Sequence, residues 1–157
     1  MRSAQKDDEL DLAHGQAIGE NEIRALLDQL ANAIRVKDVN ALMANYASDV
    51  ETFDLLAPLQ HSGSDAIRKR VSEWFSSFEG PIDYEMHNLS VTAGDDVAFC
   101  HSLTGSSGTR KGGTEMEMWW RATNGFRKID GKWIVTHGHS SEPFDGQSGK
   151  ALLELKP

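Results

Sequence analysis

The stretch at residues 126–141, FRKIDGKWIVTHGHSS, decides the fold. Apolar and polar residues alternate on both sides of Asp130-Gly131. Asp-Gly between two such runs is a strong hairpin signal, because both central positions of a tight two-residue turn need positive φ. One strand therefore ends at Ile129 and the next runs from Lys132 to Ser141. Working backward, Thr114 to Ile129 reads as a long strand, Gly105 to Gly113 as a flexible Gly- and Ser-rich loop, and Val97 to Thr104 as another strand. Gly94-Asp95-Asp96 supplies a turn, and Ile82 to Thr92 a further strand. The second half is thus a run of antiparallel strands.

The first half has a different period. Ile23, Leu26, Leu27, Leu30 and Ile34 recur at helical spacing. Asp38 reads as the N-cap of a shorter helix carrying Val39, Leu42, Met43 and Tyr46. Val50 to Leu56 reads as a short strand ended by Pro58. Ser64 can cap a third helix with Ile67, Val71, Trp74, Phe75 and Phe78, stopped by Gly80-Pro81. Helices followed by antiparallel strands give an α+β fold, a sheet that must bury one face on three N-terminal helices. Residues 1–18 are acidic, without a sustained apolar period, and read as a flexible arm. The domain occupies 19–144, and 145–157 form a C-terminal tail.

The chain has 157 residues, 39% of them hydrophobic and 25% charged, a globular balance for one domain. Sixteen Lys and Arg against 24 Asp and Glu leave a net charge of −8. That surplus argues against nucleic acid or an anionic membrane as partner, since both require a basic field. The lone Cys100 can make neither an internal disulfide nor a zinc cluster and fits a reducing, cytoplasmic setting. No apolar run approaches the ~20 residues of a membrane span, and residues 1–10 lack the apolar stretch of a signal peptide.

Met116, Met118, Trp119 and Trp120 place large apolar groups on both faces of the strand ending at Ile129. One face covers the helices and a cavity. The other calls for a partner, and a homodimer through the outer sheet face is the simplest one; the alternatives are a monomeric core or cover by the C-terminal tail.

Several residues can carry chemistry. Asp54, in Phe53-Asp-Leu-Leu, is a carboxylate among apolar neighbours, the setting of a proton shuttle or of a strand-end Asp facing solvent. His137 and His139, two apart on a strand, share a face with Trp133 and Val135, a core face. They can act as acid and base, bind an anion, or hold a metal if Asp54, His87, His101 or Glu142 supplies a third ligand. Arg121 and Thr123 share a face with Trp119. A strict two-residue hairpin turns Arg121 away from both histidines, whereas a bulge at Asn124-Gly125 brings the three together, with Asp54 or a substrate carboxylate as the guanidinium's partner. Tyr46 can offer its hydroxyl to an oxyanion. Phe99 and His101 share one strand face, and one aromatic of the third helix, such as Trp74, is expected to reach the cavity.

Four stretches resemble a known family: YASDVETFD (46–54), LQHSGSDAI (59–67), WRAT (120–123) and the opening stretch at 126–141. Together they are similar to the nuclear-transport-factor-2-like superfamily, in its SnoaL-like, ketosteroid-isomerase-like branch. The last stretch also resembles the association domain of calcium/calmodulin-dependent protein kinase II. The resemblance implies a curved antiparallel sheet wrapped around the helices into a cone with a central, mostly apolar pocket, usually dimeric, with Asp54 at the pocket mouth. It implies a small-molecule pocket protein, an acid/base isomerase, dehydratase or cyclase-like enzyme for an apolar carbonyl or ring compound, working without cofactor or metal. Asp54 and His137 are then the acid/base pair and His139 and Arg121 the orienting groups. Ligand contacts come from Tyr46, Trp74, Phe99, His101, Trp119 and Thr123. The alternative is a non-catalytic ligand-binding or oligomerisation module.

Overall fold

The computed structural model describes residues 2–157. Helix α1 (Arg2–Arg35) is far longer than its apolar stripe. Its second half buries Ile23, Leu26, Leu27, Leu30 and Ile34. The stretch 8–18, expected as an arm without regular structure, is helical and exposed throughout. Where α1 meets the sheet it comes close: a Cβ on Gly19 would lie 3.0 Å from that of Ala93. Asp38 caps α2 (Val39–Met43) by accepting a hydrogen bond from the Ala41 amide. Helix α3 (Ser64–Ser76) starts one residue earlier than a Ser64 cap would require. Gly63, at φ 86°, holds the cap position and Ser64 is the first helical residue.

The strands are β1 (Tyr46–Phe53), β2 (His61–Ser62), β3 (Phe78–Ala93), β4 (Val97–Arg110), β5 (Glu115–Ile129) and β6 (Lys132–Ser141). They form one curved, unclosed sheet in the order β2-β1-β6-β5-β4-β3. All neighbours are antiparallel except β1 and β6, which run parallel. The Asp130-Gly131 turn has φ of 51° and 77°, as a primed hairpin requires. Gly80-Pro81 does not end α3; it lies inside β3, at an irregularity between Glu79 and Asp83.

Two expectations about β4 and β6 need correction. The Gly- and Ser-rich stretch from Gly105 is strand as far as Arg110, not loop. It keeps full pairing because each Gly or Ser has a large partner: Gly105 lies opposite Trp119, and a Cβ there would sit 2.6 Å from the indole ring. The second correction concerns the bulge. It lies on β6, not at Asn124-Gly125 of β5: Phe126 pairs with Val135 and Gly125 with His137, leaving Thr136 unpaired. The extra residue reverses the alternation of everything after it.

The core lies between α1, α3 and the inner sheet face. Ile23, Phe75, Ile82, Cys100, Phe126 and Val135 are its centre. Glu22 fastens α1 to the β5–β6 hairpin, accepting hydrogen bonds from the Trp133 indole (2.7 Å) and from Lys128 (3.1 Å). Those two donors hold its carboxyl below the usual range. No described helix is long and apolar enough to cross a membrane.

Candidate functional site

Two adjoining cavities lie between α3 and the inner sheet face. One is about 320 Å³ and takes in Arg110, Ser106, Met116 and Met118; the other is about 180 Å³ and takes in Tyr46, Tyr84, Asn124 and Ala122. They share Asp54, Arg70, Val71, Trp74, Trp120 and Ser140. The local logic is simple. Residues 120, 122 and 124 of β5 point inward, and so do Gly138 and Ser140 of β6, because the Thr136 bulge has changed their phase.

The polar centre of this space is an ion pair. Arg70 Nε lies 2.7 Å from Asp54 Oδ2, with both side chains about three-quarters buried. The N–H is not aimed along a hydrogen-bond direction, so the contact is chiefly electrostatic. The other oxygen, Oδ1, accepts the Leu55 amide at 2.6 Å, which fixes the carboxylate plane. Asp54 is the one carboxylate lining the two cavities among the described residues. Its counter-ion is Arg70, and Arg121 is not near it.

Tyr46 and Tyr84 give the smaller cavity two phenols. Burial pushes Tyr46 up to about 12. Burial raises Tyr84 further, aided by the unfavourable neighbourhood of the Tyr46 and Cys100 negative forms. Both are therefore neutral hydrogen-bond donors at any physiological pH. The Thr104 hydroxyl, which lowers Tyr84 slightly against that rise, lies 2.9 Å from the Ser102 hydroxyl.

The remaining sequence candidates lie elsewhere. His137 and His139 do not share a face with Trp133 and Val135. The bulge turns them to the outer face, beside Glu51 and Phe53 of β1. His137 Nδ1 lies 2.8 Å from the Glu51 carbonyl, and the Phe53 ring meets both imidazoles edge-on at 4.9 and 5.5 Å. Arg121, Thr123, Phe99 and His101 are on that same outer face and exposed, since Arg121 pairs with Ser141, Thr123 with both His139 and His101, and Gly125 with Phe99. Trp119 is also on the outer face, its ring over Gly105 and 4.6 Å from the ring of His87. The bulge thus unites Arg121 with the two histidines, as anticipated, but on the side opposite the cavity. Asp54 and His139 meet only around an open recess of about 570 Å³ formed by the 54–59 loop. Among the described residues no group of three His, Cys, Asp or Glu is arranged to hold a metal.

Of the expected ligand contacts, Tyr46 and Trp74 line the cavities and Phe99, His101, Trp119 and Thr123 do not. Sequence reasoning missed Arg70, Tyr84, Arg110, Asn124 and Ser140. For Arg70 a signal was present. It stands three residues after Ile67 and four before Trp74, on the same helix stripe, and a cation on a buried stripe needs a partner.

The helices and the bent six-stranded sheet define the nuclear-transport-factor-2-like fold. The chain belongs to the SnoaL-like domain family, whose model matches residues 23–145. A nuclear-transport-factor-2-like protein from Pseudomonas putida KT2440 is 34% identical over 90% of this chain and 98% of its own, with a TM-score of 0.81. A ketosteroid isomerase-like protein from Erwinia carotovora atroseptica shares the fold at 22% identity, covering 78% of this chain and 94% of its own (TM-score 0.67). So does the kinase association domain of Caenorhabditis elegans, at 17% identity over 80% of this chain and 97% of its own (TM-score 0.66). No curated protein matches the chain.

Proposed function

We propose that the protein is a cofactor-free acid/base enzyme of the isomerase, dehydratase or cyclase type, acting on an apolar carbonyl or ring compound. Asp54 is the base and Arg70 its positioning partner. Tyr46 and Tyr84 replace His137, His139 and Arg121 in the role first expected of those residues, as the neutral donors that receive an enolate oxygen. The observation that carries this reading is the Asp54–Arg70 pair, set at 2.7 Å in the shared wall of two cavities otherwise rich in aromatic and methionine side chains. In such surroundings a fixed carboxylate meets an α-proton with little solvent to compete.

The experiment is α-deuterium exchange of a cyclic aryl ketone, α-tetralone, followed by NMR in D2O. Wild type is expected to accelerate exchange, and Asp54→Asn to lose about 10²–10⁴-fold of that acceleration. Binding of the ketone without acceleration by wild type would remove the catalytic assignment. A second reading, a ligand-binding or assembly module, is favoured by the same pair: Asp54 is already neutralised by Arg70, and no other carboxylate lines either cavity among the described residues.

The proposal includes self-association through the outer sheet face. Phe53, Phe99, His101 and His139 expose rings there, with Phe99 48% accessible. A reducing, cytoplasmic setting suits the buried thiol of Cys100, which burial holds in its neutral form.

A further inference from the structure

The larger cavity has a polar equipment that proton abstraction at Asp54 does not use. Arg110 lines it from the end of β4. Unlike Arg70, it makes no ion pair with any carboxylate among the described residues. Its guanidinium is held in place instead by two uncharged groups. It donates to the Ser77 hydroxyl, and it stacks over the Phe78 ring at 4.4 Å. A cation anchored this way is pre-oriented yet keeps its charge free for an incoming group.

The second observation is Ser106, four residues earlier on β4. It is 3% exposed and lines the same cavity, and its hydroxyl has no hydrogen-bond partner. A buried hydroxyl left unpaired is costly, so such a group in a cavity wall marks the place where a ligand atom completes it. With Asp54 cancelling Arg70, the lining carries one uncompensated positive charge. The rest of the wall is Trp74, Trp120, Met116 and Met118, an apolar slot suited to a flat ring.

We infer that the larger cavity binds an aromatic or alicyclic carboxylate, its ring between the tryptophans and its anionic head on Arg110 with Ser106 as donor. This inference rests on the cavity being the ligand site proposed above and adds the substrate's charge. Arg110, in the family of contacts it makes, is a specificity-determining residue; it replaces Arg121 as the carboxylate anchor.

Calorimetric titration with 2-naphthoate and its neutral isostere 2-naphthamide tests it. Wild type is expected to bind the carboxylate about tenfold tighter or more, the margin of one charge-assisted contact. Arg110→Gln is expected to weaken naphthoate about tenfold more than naphthamide and so erase that preference, with circular dichroism and the melting temperature reporting that the variant is folded. Ser106→Ala is expected to weaken naphthoate more than naphthamide, and Arg110→Lys to restore part of the preference. Equal affinities in wild type, a preference that survives Arg110→Gln, or binding of neither probe would overturn the inference. The exchange assay on neutral α-tetralone, run on wild type and Asp54→Asn, decides the proton-transfer reading separately.

Discussion

A single phenol shows how strongly this interior governs its groups. The chain has two tyrosines, Tyr46 and Tyr84, and both line the smaller cavity. Tyr46 is raised to about 12 from an ordinary 10, and Tyr84 is raised as well. The sign of the linkage follows. Folding favours the neutral phenol, so the contribution is complete below pH 10 and is lost as pH rises through the folded value near 12. Absorbance titration of tyrosinate is therefore expected to show almost no ionisation at pH 10.5 while the fold persists, then a joint rise with unfolding. A midpoint near 10 in the folded protein would show that the cavity is wet and the phenols exposed. Sequence alone put Tyr46 near a cavity but gave no hint of Tyr84, since a tyrosine in an alternating strand carries no mark of what lies across from it.

The elements were legible where local chemistry is unambiguous. Asp130-Gly131 fixed the last hairpin and β6 has the expected bounds, Lys132–Ser141. The Asp38 cap is likewise where the side chain demands it. What failed was phase. One unpaired residue, Thr136, decides whether His137 and His139 look in or out, and nothing in THGH distinguishes the two. The Gly105 to Arg110 stretch misled for a related reason: glycine and serine read as loop, yet here they make room for partners on β5. Gly105 gives a direct test. Alanine there would meet the Trp119 ring at 2.6 Å, and neither backbone can move within a fully paired sheet. Gly105→Ala is expected to destabilise by about 1–3 kcal/mol in urea unfolding. Trp119→Ala in the same chain is expected to recover most of the loss, because it removes the obstructing ring. A Gly105→Ala protein as stable as wild type would mean that the indole does not lie over this glycine.

At the scale of the molecule, the two faces of the sheet divide the work. The inner face carries the cavity and the outer face the proposed contact with a second copy. Phe99 belongs to the outer face alone, opposite Gly125 and away from the cavity lining. Phe99→Glu is expected to convert a dimer to monomers in analytical ultracentrifugation while 2-naphthoate affinity stays unchanged. A wild-type sedimentation coefficient that is monomeric at tens of micromolar would refute the dimer. One topological detail has a further effect on how the molecule is made. The parallel pairing of β1 with β6 joins Tyr46 to Val135 and Phe53 to His139, so the sheet cannot be completed locally. During synthesis, Asp54 and Arg70 leave the ribosome long before the strand that walls them in. For the roughly 70 residues between Arg70 and the end of β6 the growing chain therefore keeps those two charges facing water and an unpaired β1 edge on offer, which makes β1 the segment that a chaperone has most reason to shield.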